Sequence, residues 1–486
     1  MTVDAVVVGS GPNGLVAAAR IARRGGRVIV FEAASEPGGG LRSEHHDGWT
    51  HDLCATIHAL AAVAAPLREL GLVDVPDAPI TWSHFPAELG HALEDRPSPV
   101  LHRDVERTAE GLGADAGRYR RLVGGLVDRW DALAADVLRP VVGVPRHPIA
   151  LTRFGAAAIL PAAPALRRLF RTPEARALLA GNAAHSYVPL TKPLTMSFAL
   201  MLQVSGHVAG WPVATGGSGR IADALIDVIT GAGGEVRTDS PVEDLASLPE
   251  HRALFLDTTP SGAHGILGAA LPKRHDRAYR RFRHGAAAFK IDYELSGPMP
   301  WADPRLTECG TVHVVGSMDE LVAAEATVAA GRMPDRPFVL VTQAGLADGG
   351  RAPDGGHTLW TYAHVPAGFD GDATPQLEGQ LDRFAPGWRD LVIRRHVRRP
   401  ADFEARNRNY VRGDIGGGSY DGLQAIRRPV LSPHPYRTGV DDVWLCSAST
   451  PPGGGTHGMA GWNAVADALD GPLRHLADGT DGPSTN

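Results

Sequence analysis

Gly9, Gly11 and Gly14 stand in G-x-G-x-x-G spacing within "DAVVVGSGPNGLVAAARIARRGGRVIVFEA", and an acid, Glu32, follows about twenty residues later. That set is suited to holding a dinucleotide. Gly9 permits a tight turn, Gly11 lets backbone approach a pyrophosphate, and Gly14 lets a helix pack closely on a strand. Pro12 and Asn13 open the helix whose free N–H groups would face the phosphates. Glu32 can accept hydrogen bonds from ribose hydroxyls and disfavours a 2′-phosphate. A second glycine loop, Gly38-Gly39-Gly40, continues through Leu41 to Arg42, whose guanidinium can meet phosphate bidentately or form a surface ion pair. A third, "PPGGGTHGMAGWNA", carries Gly455, His457, Gly458 and Met459; its histidine either approaches the ligand or fills the loop. Lys290 lies in "AAFKIDYEL" and is one of three lysines, with Lys192 and Lys273, in a chain whose basic residues are otherwise arginine. It is either a chosen functional amine or a lysine reaching solvent from a strand.

The elements that must position these groups are legible around the first loop. Val6–Val8 reads as a buried parallel strand, Leu15–Arg23 as an Ala-rich helix ended by Gly25-Gly26, and Val28–Phe31 as the next strand. "ATGGSGRIADALIDVITGAGGEVRTDSPVEDL" predicts a helix with Ile221, Leu225, Val228 and Ile229 on one face, then short strands around Val236 and Val242. Ala253–Pro260 is an apolar strand, Val443–Cys446 another, and a last helix begins at Gly461 or Trp462 and runs to Leu469. Alternation in "AAFKIDYEL" places Ala288, Lys290 and Asp292 on one face and Phe289, Ile291 and Tyr293 on the other. With "GTVHVVG", "FVLVTQAG" and "HTLWTYAHVP" it predicts a half-buried antiparallel sheet, and "IRRHVRRP" reads as a solvated basic face.

Glu32 followed by Gly38 and Gly39 forms E-x-x-x-x-x-G-G. With the C-terminal glycine loop, it resembles the glutathione-reductase-like FAD fold and, within it, the flavin amine oxidase and carotenoid desaturase superfamily. The blocks "HGAAAFKIDYELSGPMPW", "RRHVRRPADFEARNRNYVRGDIGGG" and "PPGGGTHG" are similar to those of the phytoene-dehydrogenase-related oxidoreductases. The resemblance covers nearly the whole chain and is weakest over 76–210. It implies an α/β chain with a Rossmann FAD domain and a discontinuous α+β substrate domain, a helical cap plus a mainly antiparallel sheet. The corresponding divisions are 1–75, 210–280 and 438–486 for FAD, and 76–209 and 281–437 for substrate. It implies backbone near adenine at Val242, the last loop and helix end at the flavin's N1–C2=O edge, and Lys290 as a strand lysine that reaches flavin N5 through water. Ser447-Ala448 departs from the Gly-Asp or Gly-Ala that relatives often carry there.

The implied activity is desaturation of a C–C bond in a hydrophobic small molecule by hydride transfer to flavin N5, with oxygen or a quinone as the electron acceptor. Amine-oxidase-type C–N oxidation, double-bond isomerisation and non-catalytic lipid binding of the GDP-dissociation-inhibitor kind are the alternatives. No second dinucleotide fingerprint is present. The 486 residues carry net charge −6, which gives nucleic acid binding no electrostatic support. Cys54, Cys309 and Cys446 lack C-x-x-C spacing, and no G-x-S-x-G is present. His45, His46 and His51 lack helical ligand spacing and evident partners, so no metal is expected. No signal peptide and no apolar run of about 18 residues is present, which points to a cytoplasmic protein. "PIALTRFGAAAILPAAPALRRLF", edged by Arg153, Arg167, Arg168 and Arg171, reads as a core helix pair or as a peripheral membrane contact or tunnel mouth. Nothing in the sequence bears on oligomeric state.

Overall fold

The structure, a computed structural model, describes residues 3–140 and 142–482. Two large sheets organise it. The first has the order β16 (Val443–Leu445), β10 (His251–Leu256), β1 (Val3–Val8), β2 (Val28–Phe31), β9 (Glu235–Arg237), and all its pairs are parallel. Apart from the exposed edge strand β9, its strands are short and mainly apolar because helices cover both faces. Helix Pro12–Arg23 packs against helices Gly219–Gly231 and Met459–Leu469. Contact with the last helix is so close that a Cβ on Gly461 would lie 1.9 Å from the Asn13 carbonyl oxygen.

The second sheet has the order β15 (Val392–Arg398), β11 (Ala287–Leu295), β14 (His357–Val365), β13 (Val339–Thr342), β12 (Cys309–Val314), β6 (Ala87–Ala92), β7 (Val100–Leu101). It is antiparallel except for the parallel β12–β6 pair. One face of β11 presents Phe289, Ile291 and Tyr293 to a core shared with Leu377, Leu381 and Trp388. The opposite face carries Ala288, Lys290, Asp292 and Glu294 beside their cross-strand partners Tyr362, Trp360 and His396. A hairpin of β3 (Ser43–His46) and β4 (Trp49–Asp52) continues from the second glycine loop towards this polar face. Two-residue strands β5 (Trp82–Ser83) and β8 (Val213–Ala214) form a small ribbon.

Several expectations are corrected. The block after residue 76 is not all helical, because β6 and β7 join the second sheet. No strand forms around Val242, which packs half-buried on the rim of the first sheet's core. The last helix begins at Met459 rather than Gly461, since Gly458 takes the left-handed cap conformation at φ 67°. "IRRHVRRP" runs along an edge strand and does expose Arg394, Arg395 and Arg399 as a solvated basic face; Arg398 alone of its arginines turns inward, at 7% exposure.

Among the described residues no single helix is long and apolar enough to cross a membrane. Helices Pro148–Ala158 and Ala162–Leu169 reach that length only together and are bent by 98°. They are not simply a core pair: Ile149 is 72% exposed and Ile159 58% exposed.

Candidate functional site

In a parallel sheet, ligands gather where strands end at their carboxyl edge. Strand β1 ends at the Gly9 turn, β2 at Glu32, β10 at Asp257 and β16 at Cys446, and the loops leaving them border a cavity of about 620 Å³. Gly11, Pro12, Asn13 and Gly40 line one wall, and Gly454, Gly455 and His457 another. Gly9 has φ +99°, and a Cβ on Gly14 would meet the Gly9 carbonyl oxygen at 2.1 Å, so the turn admits no side chain at either position.

Glu32 accepts hydrogen bonds from the Ser10 N–H (3.0 Å), the Ser10 hydroxyl (2.5 Å) and the Ala34 N–H (2.8 Å). The second glycine loop is locked onto the first. Gly38 N–H donates to Ser10 Oγ, and a Cβ on Gly39 would lie 3.0 Å from Gly11 Cα. Leu41 is fully buried beneath that loop. Arg42 turns to protein partners, Glu32 at 3.6 Å and the Arg406 carbonyl at 3.2 Å.

His457 is 2% exposed, and burial pushes it down to about 4. Its Nδ1 accepts the Met459 N–H at 3.0 Å, so the neutral ring holds the glycine loop to the last helix. Asn13 Oδ1 accepts the next N–H, from Ala460. Gly458 is pinned by Val16, 2.4 Å from where its Cβ would stand.

Lys290 neither reaches solvent nor lines the cavity. It is 1% exposed, with its ammonium paired to Asp292 and 5.3 Å from the centroid of the Trp360 ring, which does line the cavity. Burial pushes its amine down to about 8, against the opposing pull of Asp292. Arg398 shares Asp292 and also meets Glu44. Val242 does not line the cavity.

Sequence reasoning missed Asp257. Its Oδ2 accepts the Gly14 N–H at 2.9 Å and would lie 2.5 Å from a Cβ on Gly11. Burial drives the carboxyl up to about 7, the Gly14 N–H opposing this and Glu32 adding to it. An acid ending an apolar strand, as Glu32 ends β2, was the available signal. Asn409 was also missed: it takes the Thr259 N–H on its Oδ1 and donates to the Asp257 carbonyl, clamping the end of β10. Asp52 forms a buried pair with Arg351 at 2.6 Å, and that guanidinium together with Ser43 and Thr56 holds the carboxylate well below its usual range despite burial.

These residues fit FAD. The side-chain-free turn at a helix N-terminus and the glycine loops on the facing wall border one cavity, and the buried acid at the end of β2 is hydrogen-bonded to Ser10 within that turn. His46, His51, Glu294 and His396 also converge, on the polar face of β11, so the histidines of the hairpin do have partners.

A family model described as NAD(P)-binding Rossmann-like domain matches residues 7–70. The chain is 26% identical to hydroxyneurosporene desaturase of Cereibacter sphaeroides, over 93% of this chain and 94% of that protein. It is 24% identical to the rat pyridine nucleotide-disulfide oxidoreductase domain-containing protein 2, over 95% of this chain and 92% of that one. A putrescine oxidase structure superposes with a TM-score of 0.61 at 17% identity, over 97% of this chain and all of that one, and shares the fold. Taken with the cavity's glycine walls and Glu32, this likeness makes the chain an FAD-dependent oxidoreductase that is similar over nearly its whole length to hydroxyneurosporene desaturase and shares the fold of putrescine oxidase.

Proposed function

We propose that the protein desaturates a C–C bond of a hydrophobic small molecule and passes the electrons to oxygen or a quinone. The observation that carries this reading is the cavity's second half. Beyond the glycine walls, it is lined by Leu151, Phe154, Ala158, Phe198, Met201 and Leu202. Two charged residues on the wall are committed to backbone. Asp414 accepts from the N–H groups of Gly285, Gly416 and Gly418, and Arg428 donates to the carbonyls of Gly417 and Ala448. They hold the glycine loops in place and leave the apolar half to grip its substrate by area and shape.

In this reading residues 1–75, 210–280 and 438–486 carry the cofactor, and 76–209 and 281–437 the substrate. Gly9, Gly11, Pro12, Asn13 and Gly14 would hold the pyrophosphate, with Arg42 and the Gly38–Leu41 loop beside it. Glu32 would hold the ribose, Val242 the adenine edge, and Gly455, Gly458 and Met459 the flavin edge. When bound, FAD supplies the hydride acceptor, N5. Lys290 acts as a positioning residue, fixing Trp360 in the cavity wall. Substrate would enter from a membrane surface or an apolar carrier. The supporting feature is the Pro148–Ala158 helix, which lines the cavity through Leu151 and Phe154 and exposes Ile149.

One feature favours amine oxidation instead. Tyr187 and Tyr362 stand nearly parallel on the cavity wall, at 6.2 Å and 8°, and stacked aromatic faces suit a cation. Anaerobic flavin bleaching with polyene, acyl and amine candidates decides between them. Bleaching by an apolar C–C substrate with a desaturated product supports the proposal. Bleaching by amines alone overturns it, as does a net isomerised product or a colourless protein.

A further inference from the structure

The polar face of β11 supports a second site. Glu294 is 1% exposed at its side chain and projects from β11 beneath the β3–β4 hairpin. Its Oε1 lies 2.8 Å from His46 Nε2 on β3, 2.9 Å from His396 Nε2 on β15 and 3.7 Å from His51 Nε2 on β4. All four ligand atoms fall within 4.8 Å of one another.

A hydrogen-bonded cluster accounts for only part of this. One carboxylate oxygen serves His46 and His396. His51 is 3% exposed, yet its Nε2 has no hydrogen-bond partner, and neither does Glu294 Oε2. Leaving a buried imidazole nitrogen unpaired costs about 1–3 kcal/mol. The ring is nonetheless held in place, stacked at 5.5 Å on His46 and at 6.5 Å on Trp49. Three imidazole nitrogens aimed at one carboxylate oxygen form a donor set that suits a divalent ion of the zinc type.

The dimensions agree. Bonds of about 2.0–2.1 Å in a tetrahedron put ligand atoms about 3.3 Å apart, so a bound ion needs the two short contacts to spread by about half an ångström and the widest pairs, within 4.8 Å, to close by up to about 1.5 Å. Arg394 lies 3.7 Å from Glu294 Oε1, and Lys290 is a further cation on the same face of β11. Arg394 is half exposed and also 3.6 Å from Asp47, to which it can turn. His46 and His396, at 30% and 29% side-chain exposure, give solvent a route to the site.

We propose that His46, His51, His396 and Glu294 form a four-ligand site for a divalent transition-metal ion, with Zn²⁺ the best fit. Four protein ligands leave no open coordination position, so the ion is structural. It ties the hairpin to β11 and β15. That hairpin leaves the Gly38–Arg42 loop directly, so the ion also anchors the chain segment running along the cofactor cavity.

The test uses FAD-bound full-length protein purified without a polyhistidine tag, stripped with chelator and equilibrated with Zn²⁺. The proposal expects about one tightly held equivalent and a higher melting temperature on loading. Replacing the two half-exposed ligands, H46A with H396A, should weaken binding by about 100-fold or more and abolish the thermal shift. Co²⁺ in the wild type should give strong tetrahedral d–d bands at longer wavelength than flavin absorption. Less than about a tenth of an equivalent of Zn²⁺ in the wild type overturns the proposal. So does retention in the double variant, which puts the ion elsewhere, or a weak octahedral Co²⁺ spectrum.

Discussion

Replacing Asp257 by Asn should make the apoprotein more stable above neutral pH and change little in acid. The carboxyl sits at about 7 in the folded chain against 3.8 when exposed, chiefly because burial disfavours its charge. A raised carboxyl favours the folded state only while protonated. That stability is fully present below about pH 4 and is lost as pH rises through about 7. About three units at roughly 1.36 kcal/mol each make the loss about 4 kcal/mol. Asn has the same shape, never ionises, and its amide oxygen can still accept the Gly14 N–H now taken by Oδ2. Other groups titrate alike in both proteins, so the difference between them isolates this one. Urea midpoints of wild type and D257N, both FAD-free, should coincide near pH 4 and diverge in favour of the variant up to about pH 8. FAD affinity should follow the same course, falling with pH in the wild type, whose ionised carboxylate would stand beside the pyrophosphate cradle, and staying flatter in D257N. A midpoint difference that does not change with pH would refute the reasoning, because the carboxyl would then not titrate between its two values.

Three further outcomes follow from the site. Glu32→Ala should weaken FAD binding about tenfold to a hundredfold, the worth of charge-assisted hydrogen bonds of roughly 1.5–3 kcal/mol; titration of apoprotein with FAD measures it, and unchanged affinity would place the ribose elsewhere. Denaturation should release all the flavin, since burial raises the cavity-lining Cys54 thiol and keeps it from the nucleophilic thiolate form; colour retained on precipitated protein would contradict this. Lys290→Met should leave FAD occupancy near wild type and slow the flavin half-reaction by loosening Trp360, with a stability cost below the about 3–5 kcal/mol of a fully broken buried pair because Arg398 still meets Asp292; bleaching and recolouring rates equal to wild type would reduce Lys290 to an ion-pair partner.

What the sequence disclosed depended on how far each interaction travels along the chain. Strand β1, its turn, helix Pro12–Arg23 and β2 are consecutive, and glycine spacing alone marks them. Strand β11 was readable over Ala287–Leu295 because one of its faces is apolar throughout. Strand β6 was not. "AELGHA" has no β-branched residue, and it is buried because distant groups satisfy it: Glu88 takes the Trp211 N–H and His91 meets the Gly316 carbonyl. The partner of Lys290 was within reach, since the alternation that set its face put Asp292 beside it. Glu294 and its three histidines were only half legible. His46 and His51 stand close together in the sequence, but their partners Glu294 and His396 come from other strands, up to 350 positions away, and local spacing carries no trace of those.

The hairpin explains how β11 can keep a charged face inside the protein. Lys290, Asp292 and Glu294 are each 1% exposed or less, and an ionised group in such a place is tolerated only with partners. Arg398 and His396 come from β15, on one side of β11. The rest come from the hairpin: Glu44 meets Arg398, and His46 meets Glu294. Asp52, at its far end, takes the Ser43 hydroxyl, the buried Arg351 and the Ser218 N–H, so the hairpin is also fixed to the helix that packs on the cofactor turn. Trp360 closes the circuit, donating from Nε1 to the Asp52 carbonyl while its ring faces Lys290 and lines the cavity. A substitution that frees the hairpin therefore unpairs the β11 face and releases a cavity-wall tryptophan together, although no hairpin ligand touches the cavity. The two effects should appear as one transition, with Trp360 fluorescence and hairpin proteolysis changing at the same denaturant concentration.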